Sequence, residues 1–132
     1  MEPPREMPIM KLLGIQLDGP SVPDAYTAVL VATPETLNLN GVVHGAAIAT
    51  LVDHAGGYGA QRLLGRRGVT SDLHIRYLSA GRAGSVLTAE SRVVRAGRSQ
   101  IVMDVRVTDD DGRLIAVADL ALAVVEPPAS NS

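Results

Sequence analysis

The chain has 132 residues, a net charge of −2 and no cysteine, phenylalanine or tryptophan. A chain of this length forms one domain that buries roughly two thirds of its extended surface, and its balanced, dispersed charge leaves no footprint for nucleic acid. The missing cysteines exclude disulfides, thiolate metal sites and a thiol nucleophile.

The first residues, MEPPREMPIMKLLG, are charged and proline-bearing where a signal peptide has an apolar run, so they read as a loose lead-in. The longest uncharged run, 36–52, contains two Asn, a His and two Gly, and it falls short of the ~20 apolar residues of a membrane span. A soluble cytoplasmic protein with no membrane partner is expected. A short strand is expected over 15–17, ending at Asp18-Gly19-Pro20, and a clear strand over 25–32, rich in β-branched residues between Pro23 and Pro34. Four turn-punctuated segments follow a central helix: 69–78, 85–94, 99–108 and 113–125. In the first, Ser71, Leu73, Ile75 and Tyr77 alternate with Asp72, His74 and Arg76, so the first set faces the core. The acidic run Asp109 to Asp111 before Gly112 is a hairpin turn that needs no calcium. Pro127 and Pro128 end the last strand, and a frayed tail follows. The expected order is two strands, a helix, then a four-stranded antiparallel meander. One long helix and one curled sheet bury each other only if the sheet wraps the helix, which makes the fold α+β. A single domain is expected over residues 1–132, with an ordered core of about 12–126.

The stretch from Asn38 to Leu64, NLNGVVHGAAIATLVDHAGGYGAQRLL, is interrupted by Asn38, Asn40, His44, Asp53 and His54. Turn residues up to Gly41 feed a helix from about Gly45, apolar on every side over 46–52 as if wrapped all round. A buried carboxylate without a partner costs several kcal/mol, so Asp53 needs a structural partner or a function. Gly56, Gly57 and Gly59 predict close approach of another backbone or a ligand. Asn40 and His54 read as a turn residue and an ordinary helix side chain. His74, Asp72 and Arg76 read as a solvated face or an oligomer contact.

Asn38, His44-Gly45, Asp53 nine positions after the His and Ser71 eighteen after the Asp together resemble the hotdog-fold acyl-CoA thioesterases of the PaaI-like family. The resemblance spans roughly residues 12–126, with one departure: Ala46 stands where the family has a second Gly after His-Gly. It implies a curved antiparallel sheet of about five or six strands around one long helix. It also implies hydrolysis of an acyl-CoA with no metal or redox cofactor, coenzyme A being part of the substrate. Gly45 begins the helix, so its N–H lacks an intrahelical partner and lies at the positive end of the dipole, where a carbonyl oxygen can dock. The family assigns the Asn38 amide as a second donor and His44 to orienting the site. Asp53 is then nucleophile or general base, a choice the sequence leaves open, and Ser71 positions the water or the carboxylate. The turn arginines Arg82, Arg95 and Arg98 are candidates for the coenzyme A phosphates.

His44 and Asp53, nine residues apart, are separated by about 13 Å of helix rise and half a turn. If both are catalytic, the site is shared by two chains with antiparallel helices in a two-fold homodimer. The family implies that dimer independently, often doubled into a tetramer. Two other functions fit the fold: a non-catalytic acyl-CoA-binding module, and a hydratase or dehydratase, for which a His would be the expected base.

Overall fold

The computed structural model describes residues 7–125. Six strands, β1 (Ile15–Leu17), β2 (Tyr26–Val31), β3 (Arg67–Tyr77), β4 (Val86–Ala96), β5 (Gln100–Thr108) and β6 (Leu114–Val125), form one antiparallel sheet around the helix α2 (Gly45–Leu64). This is the expected α+β architecture. The lead-in is not wholly loose. A one-turn helix, α1 (Pro8–Leu12), drives the side chain of Met10 into the core, where it is fully buried. The expected end of the ordered core at Glu126, the prolines 127 and 128 and the tail lie outside the described residues.

The strand order is β1-β2-β4-β5-β6-β3, which corrects the expected meander. Only β4, β5 and β6 form one. β3 pairs with β6 and stands at the sheet edge, because the turn after Tyr77 crosses the end of the sheet and bridges through Arg82 to Val42 before β4 begins. β3 therefore carries eleven residues whose outer backbone edge pairs with nothing among the described residues.

The helix is not wrapped on all sides, as the run of apolar residues suggested. Ala47, Ile48, Leu51, Val52, Ala55, Gly56, Gly59 and Ala60 are buried, while Ala49, Thr50, Asp53, His54, Gly57, Tyr58 and Gln61 are only half-buried. The buried stripe meets Leu87, Ala89, Met103, Leu120 and Leu122, every one of them at most 1% exposed. Each fully buried large side chain here contributes roughly 1.5–3 kcal/mol. With no Phe or Trp to fill a gap, helix and sheet close up directly. A Cβ on Gly56 would stand 2.5 Å from Leu120 Cδ2, and one on Gly59 would stand 2.6 Å from Ser91 Oγ. Gly57, turned to the open side, has nothing within 4 Å of that point. Among the described residues no helix is long and apolar enough to cross a membrane.

Candidate active site

The loop before α2 is held by backbone pairing: the N–H of Val43 donates to the Gly81 carbonyl at 2.8 Å, and that of His44 to the Thr36 carbonyl at 2.7 Å. Asn38 braces it from within, its Oδ1 accepting from the N–H of Asn40 at 2.9 Å and of Val42 at 3.4 Å. With the oxygen so engaged, the amide nitrogen is the end left to donate elsewhere. His44 is the N-cap of α2, and its Nδ1 accepts from the Ala46 N–H at 3.0 Å. A ring nitrogen that accepts is unprotonated, so the neutral imidazole carries its proton on Nε2. The His44 carbonyl takes the N–H groups of Ala47 and Ile48. The Gly45 N–H donates to no group among the described residues. It is the free donor at the positive end of a twenty-residue helix.

Against Gly45 lies Tyr77, whose hydroxyl donates to the Gly45 carbonyl at 2.8 Å. Burial of the phenol raises its pKa above the ordinary tyrosine value. The two residues share a cavity of about 340 Å3 with Val43, Ile48, Leu78 and Gly81.

Asp53 lines a different cavity, of about 380 Å3, together with His54, Gly57, Tyr58, Gln61, Arg67 and Thr70. Its carboxylate is half-buried rather than sealed in the core. Oδ1 accepts from the Thr70 hydroxyl at 2.7 Å, while Oδ2 has no hydrogen-bond partner among the described residues. A carboxylate held by one oxygen and open at the other can attack an electrophile or take a proton from water.

Ser71, expected to face Asp53, does not reach it. A bulge between Thr70 and Asp72 inserts one residue against β6, so the alternation running back from Tyr77, Ile75 and Leu73 slips by one position. Thr70 takes the inward place. Ser71 is the extra residue, exposed, and its hydroxyl donates to the Ala121 carbonyl at 3.1 Å. Strict two-residue periodicity could not find Thr70, because a bulge depends on the partner strand.

Gly45 and Asp53 stand about 12 Å apart along one helix and open into separate cavities. The arginines divide the same way. Arg82 is exposed beside Val42 at the helix-start end. Arg95 and Arg98 are exposed at the other end, where Arg66 binds the Gly97 and Arg98 carbonyls at 2.7 and 2.8 Å. Arg67, at the start of β3, lines the Asp53 cavity. So does His54, whose Nδ1 contacts the Thr50 carbonyl at 2.8 Å and whose ring stacks on Tyr58 with centroids 6.0 Å apart. A carbonyl partner means that Nδ1 carries the proton.

Residues 40–116 match the model of the thioesterase superfamily. The chain is 33% identical to the protein SSO1253 of Saccharolobus solfataricus over 81 residues, which are 61% of this chain and 53% of that one, so it spans about half the length of that relative. A hypothetical thioesterase protein of Streptococcus pneumoniae TIGR4, solved with coenzyme A, is 31% identical with a TM-score of 0.76, covering 84% of this chain and 88% of that one. Solved variants of that protein carry alanine in place of an aspartate and in place of a threonine. The PaaI protein of E. coli shares the fold, with a TM-score of 0.81 at 24% identity over 89% of this chain and 85% of that one.

Proposed function

Because the chain belongs to the thioesterase superfamily, we propose that this enzyme hydrolyses small aromatic or medium-chain acyl-CoA thioesters to the free acid and coenzyme A. Asp53 acts as nucleophile or general base, with no resident metal or redox cofactor. The observation that carries the reading is the Asp53 carboxylate, held through Oδ1 by Thr70 with Oδ2 open to a cavity. A coenzyme A complex of a relative 31% identical supports the substrate class.

The thioester carbonyl docks on the Gly45 N–H, with the Asn38 amide as a second donor and His44 capping the turn that presents them. Oxyanion charge developing there is stabilised by a donor already in place, so little reorganisation accompanies the reaction. Asp53 then takes a proton from water as the water oxygen adds to the carbonyl carbon, or attacks that carbon to give an anhydride that water opens. In either route collapse of the tetrahedral adduct breaks the carbon–sulfur bond; the thiolate takes the proton held by Asp53 in the first route and, in the second, the proton released as water opens the anhydride. Thr70 fixes the carboxylate, and Ser71 has no part in it.

One chain holds these halves too far apart for a single carbonyl. The site is therefore completed across a two-fold homodimer. The edge strand β3 pairs with its copy, bringing the Gly45 and Tyr77 end of one protomer to the Asp53 and Thr70 end of its partner. That pairing satisfies an eleven-residue unpaired edge. It also gathers Arg82 of one chain near Arg95 and Arg98 of the other, where coenzyme A phosphates need cations. The family resemblance extends the assembly to a dimer of dimers in the cytoplasm.

Free-thiol release over a panel of acyl-CoAs tests the chemistry: Asp53→Ala falls to background, and a rate equal to wild type removes Asp53 from the mechanism. Mixing chains tests the sharing. Asp53→Ala and Gly45→Val are each inactive alone. Refolded together at equal amounts they regain about a quarter of wild-type activity, the fraction of intact sites under random pairing; no recovery places both groups within one chain.

A further inference from the structure

Gly45 combines the least constrained backbone in the protein alphabet with the one N–H whose direction the proposed reaction depends on. Glycine loses more conformational freedom on ordering than any other residue, so something else must hold that donor still. Two peptide units flank it. In the first, the His44 carbonyl accepts from Ala47 at 2.9 Å and Ile48 at 3.2 Å, which turns the Gly45 N–H away from the helix body. In the second, the Ala46 N–H donates to His44 Nδ1 at 3.0 Å, and the Gly45 carbonyl accepts the Tyr77 hydroxyl at 2.8 Å. That peptide plane is fastened at both ends by side chains.

The fastening from Tyr77 is itself rigid. Tyr77 pairs with Ala116 at the end of β3, and the next N–H, that of Leu78, donates to the Ile115 carbonyl at 2.8 Å. Its ring closes over the glycine: a Cβ on Gly45 would lie 3.3 Å from Cζ and from Oη. Yet Tyr77 is 50% exposed, so it contributes less to the core than a tyrosine can, and its polar tip is spent on one carbonyl of the helix start.

We propose that Tyr77 is a positioning residue for the thioester, clamping the peptide unit after Gly45 from the carbonyl side as His44 clamps it from the N–H side, so that the free Gly45 N–H keeps its aim as charge develops. The proposal rests on the reading of Gly45 as the carbonyl's docking point. Removing the hydroxyl leaves the ring in place and the Gly45 carbonyl held by its intrahelical bond alone, which loosens that end of the plane, so the loss falls on the transition state rather than on substrate binding.

The test compares Tyr77→Phe, His44→Ala and the double variant with wild type and Asp53→Ala in free-thiol release. Tyr77→Phe lowers kcat about tenfold and leaves KM within about twofold, with an unchanged melting temperature. The double variant loses less than the product of the two single losses, because both residues hold one plane. Independently of turnover, the Gly45 amide resonance shifts and its hydrogen exchange quickens in Tyr77→Phe. An inactive Asp53→Ala beside a Tyr77→Phe enzyme of normal kcat, or one changed in KM alone, overturns the role of Tyr77 and leaves the hydrolase reading standing. A fully active Asp53→Ala removes Asp53 from the mechanism, and a wild type that releases no thiol from any acyl-CoA overturns the hydrolase reading itself.

Discussion

The two faces of α2 both carry glycine, yet they have opposite fates. The face carrying Ile48, Leu51, Val52, Ala55, Gly56 and Gly59 is sealed against the sheet. The face carrying Asp53, His54, Gly57 and Gln61 is left half-open to a cavity, with Arg67, Gly68 and Thr70 of β3 along one side of it. Glycine serves both, for different reasons. Gly56 and Gly59 let the sheet approach until no Cβ fits, whereas Gly57 leaves room in front of the helix. A polar residue in this apolar helix thus marks the side that faces a cavity rather than the core.

The sharpest test of this contrast is the pair Thr70 and Ser71, neighbours of which the bulge brings Thr70 to Asp53 and leaves Ser71 unpaired and exposed. Thr70→Ala frees the Asp53 carboxylate to rotate and lowers kcat at least tenfold in acyl-CoA turnover. Ser71→Ala leaves kcat within about twofold, since its hydroxyl bonds the Ala121 carbonyl and not the Asp53 carboxylate. Equal losses in the two would mean that the register slip is misread.

The glycines break the comparison from the side of stability. Gly56→Ala forces a methyl into Leu120 and lowers unfolding free energy by about 1–3 kcal/mol in a denaturant titration. Gly57→Ala meets nothing and gains roughly 0.5–1 kcal/mol from helix propensity. That gain comes with reduced turnover if the cavity beside it takes substrate.

The smallest effect contrasts two carboxylates. Asp53 keeps one oxygen open, but in the turn before β6 Asp109 accepts the Arg113 N–H at 2.9 Å and the Asp111 N–H at 3.0 Å on Oδ1. These backbone donors, that of Arg113 foremost, hold its pKa below the ordinary value of 3.8. A carboxylate whose folded pKa is depressed adds stability in full above its unfolded pKa and loses it as pH falls through the folded value. Melting temperature measured against pH therefore falls below about pH 4 in wild type, and this acid slope is shallower in Asp109→Asn. Activity at neutral pH is unchanged in that variant.

Much of the fold was legible because its signals are local. Alternation over 99–108 and 113–125, the turn at Asp109 to Gly112 and the run from Gly45 to Gly65 each report on their own segment. Gly65 ends α2 with φ 67°, as a glycine cap does. The site was legible in part. Asp53 stood out by its cost in an apolar helix and Gly45 by its place at the helix start, but Thr70, Tyr77 and Arg67 did not, since each acquires its meaning from a residue elsewhere in the chain.

The amino-acid order by itself therefore determined the elements, the helix polarity and the carboxylate that needed explaining, because periodicity, capping and turn chemistry act over a few residues. Tertiary structure alone decided that β3 leaves the meander for the sheet edge, that a bulge exchanges Thr70 for Ser71, and that Tyr77 closes on Gly45. Those outcomes depend on which strand lies beside which, and pairing energies between distant segments leave no periodic trace in either one.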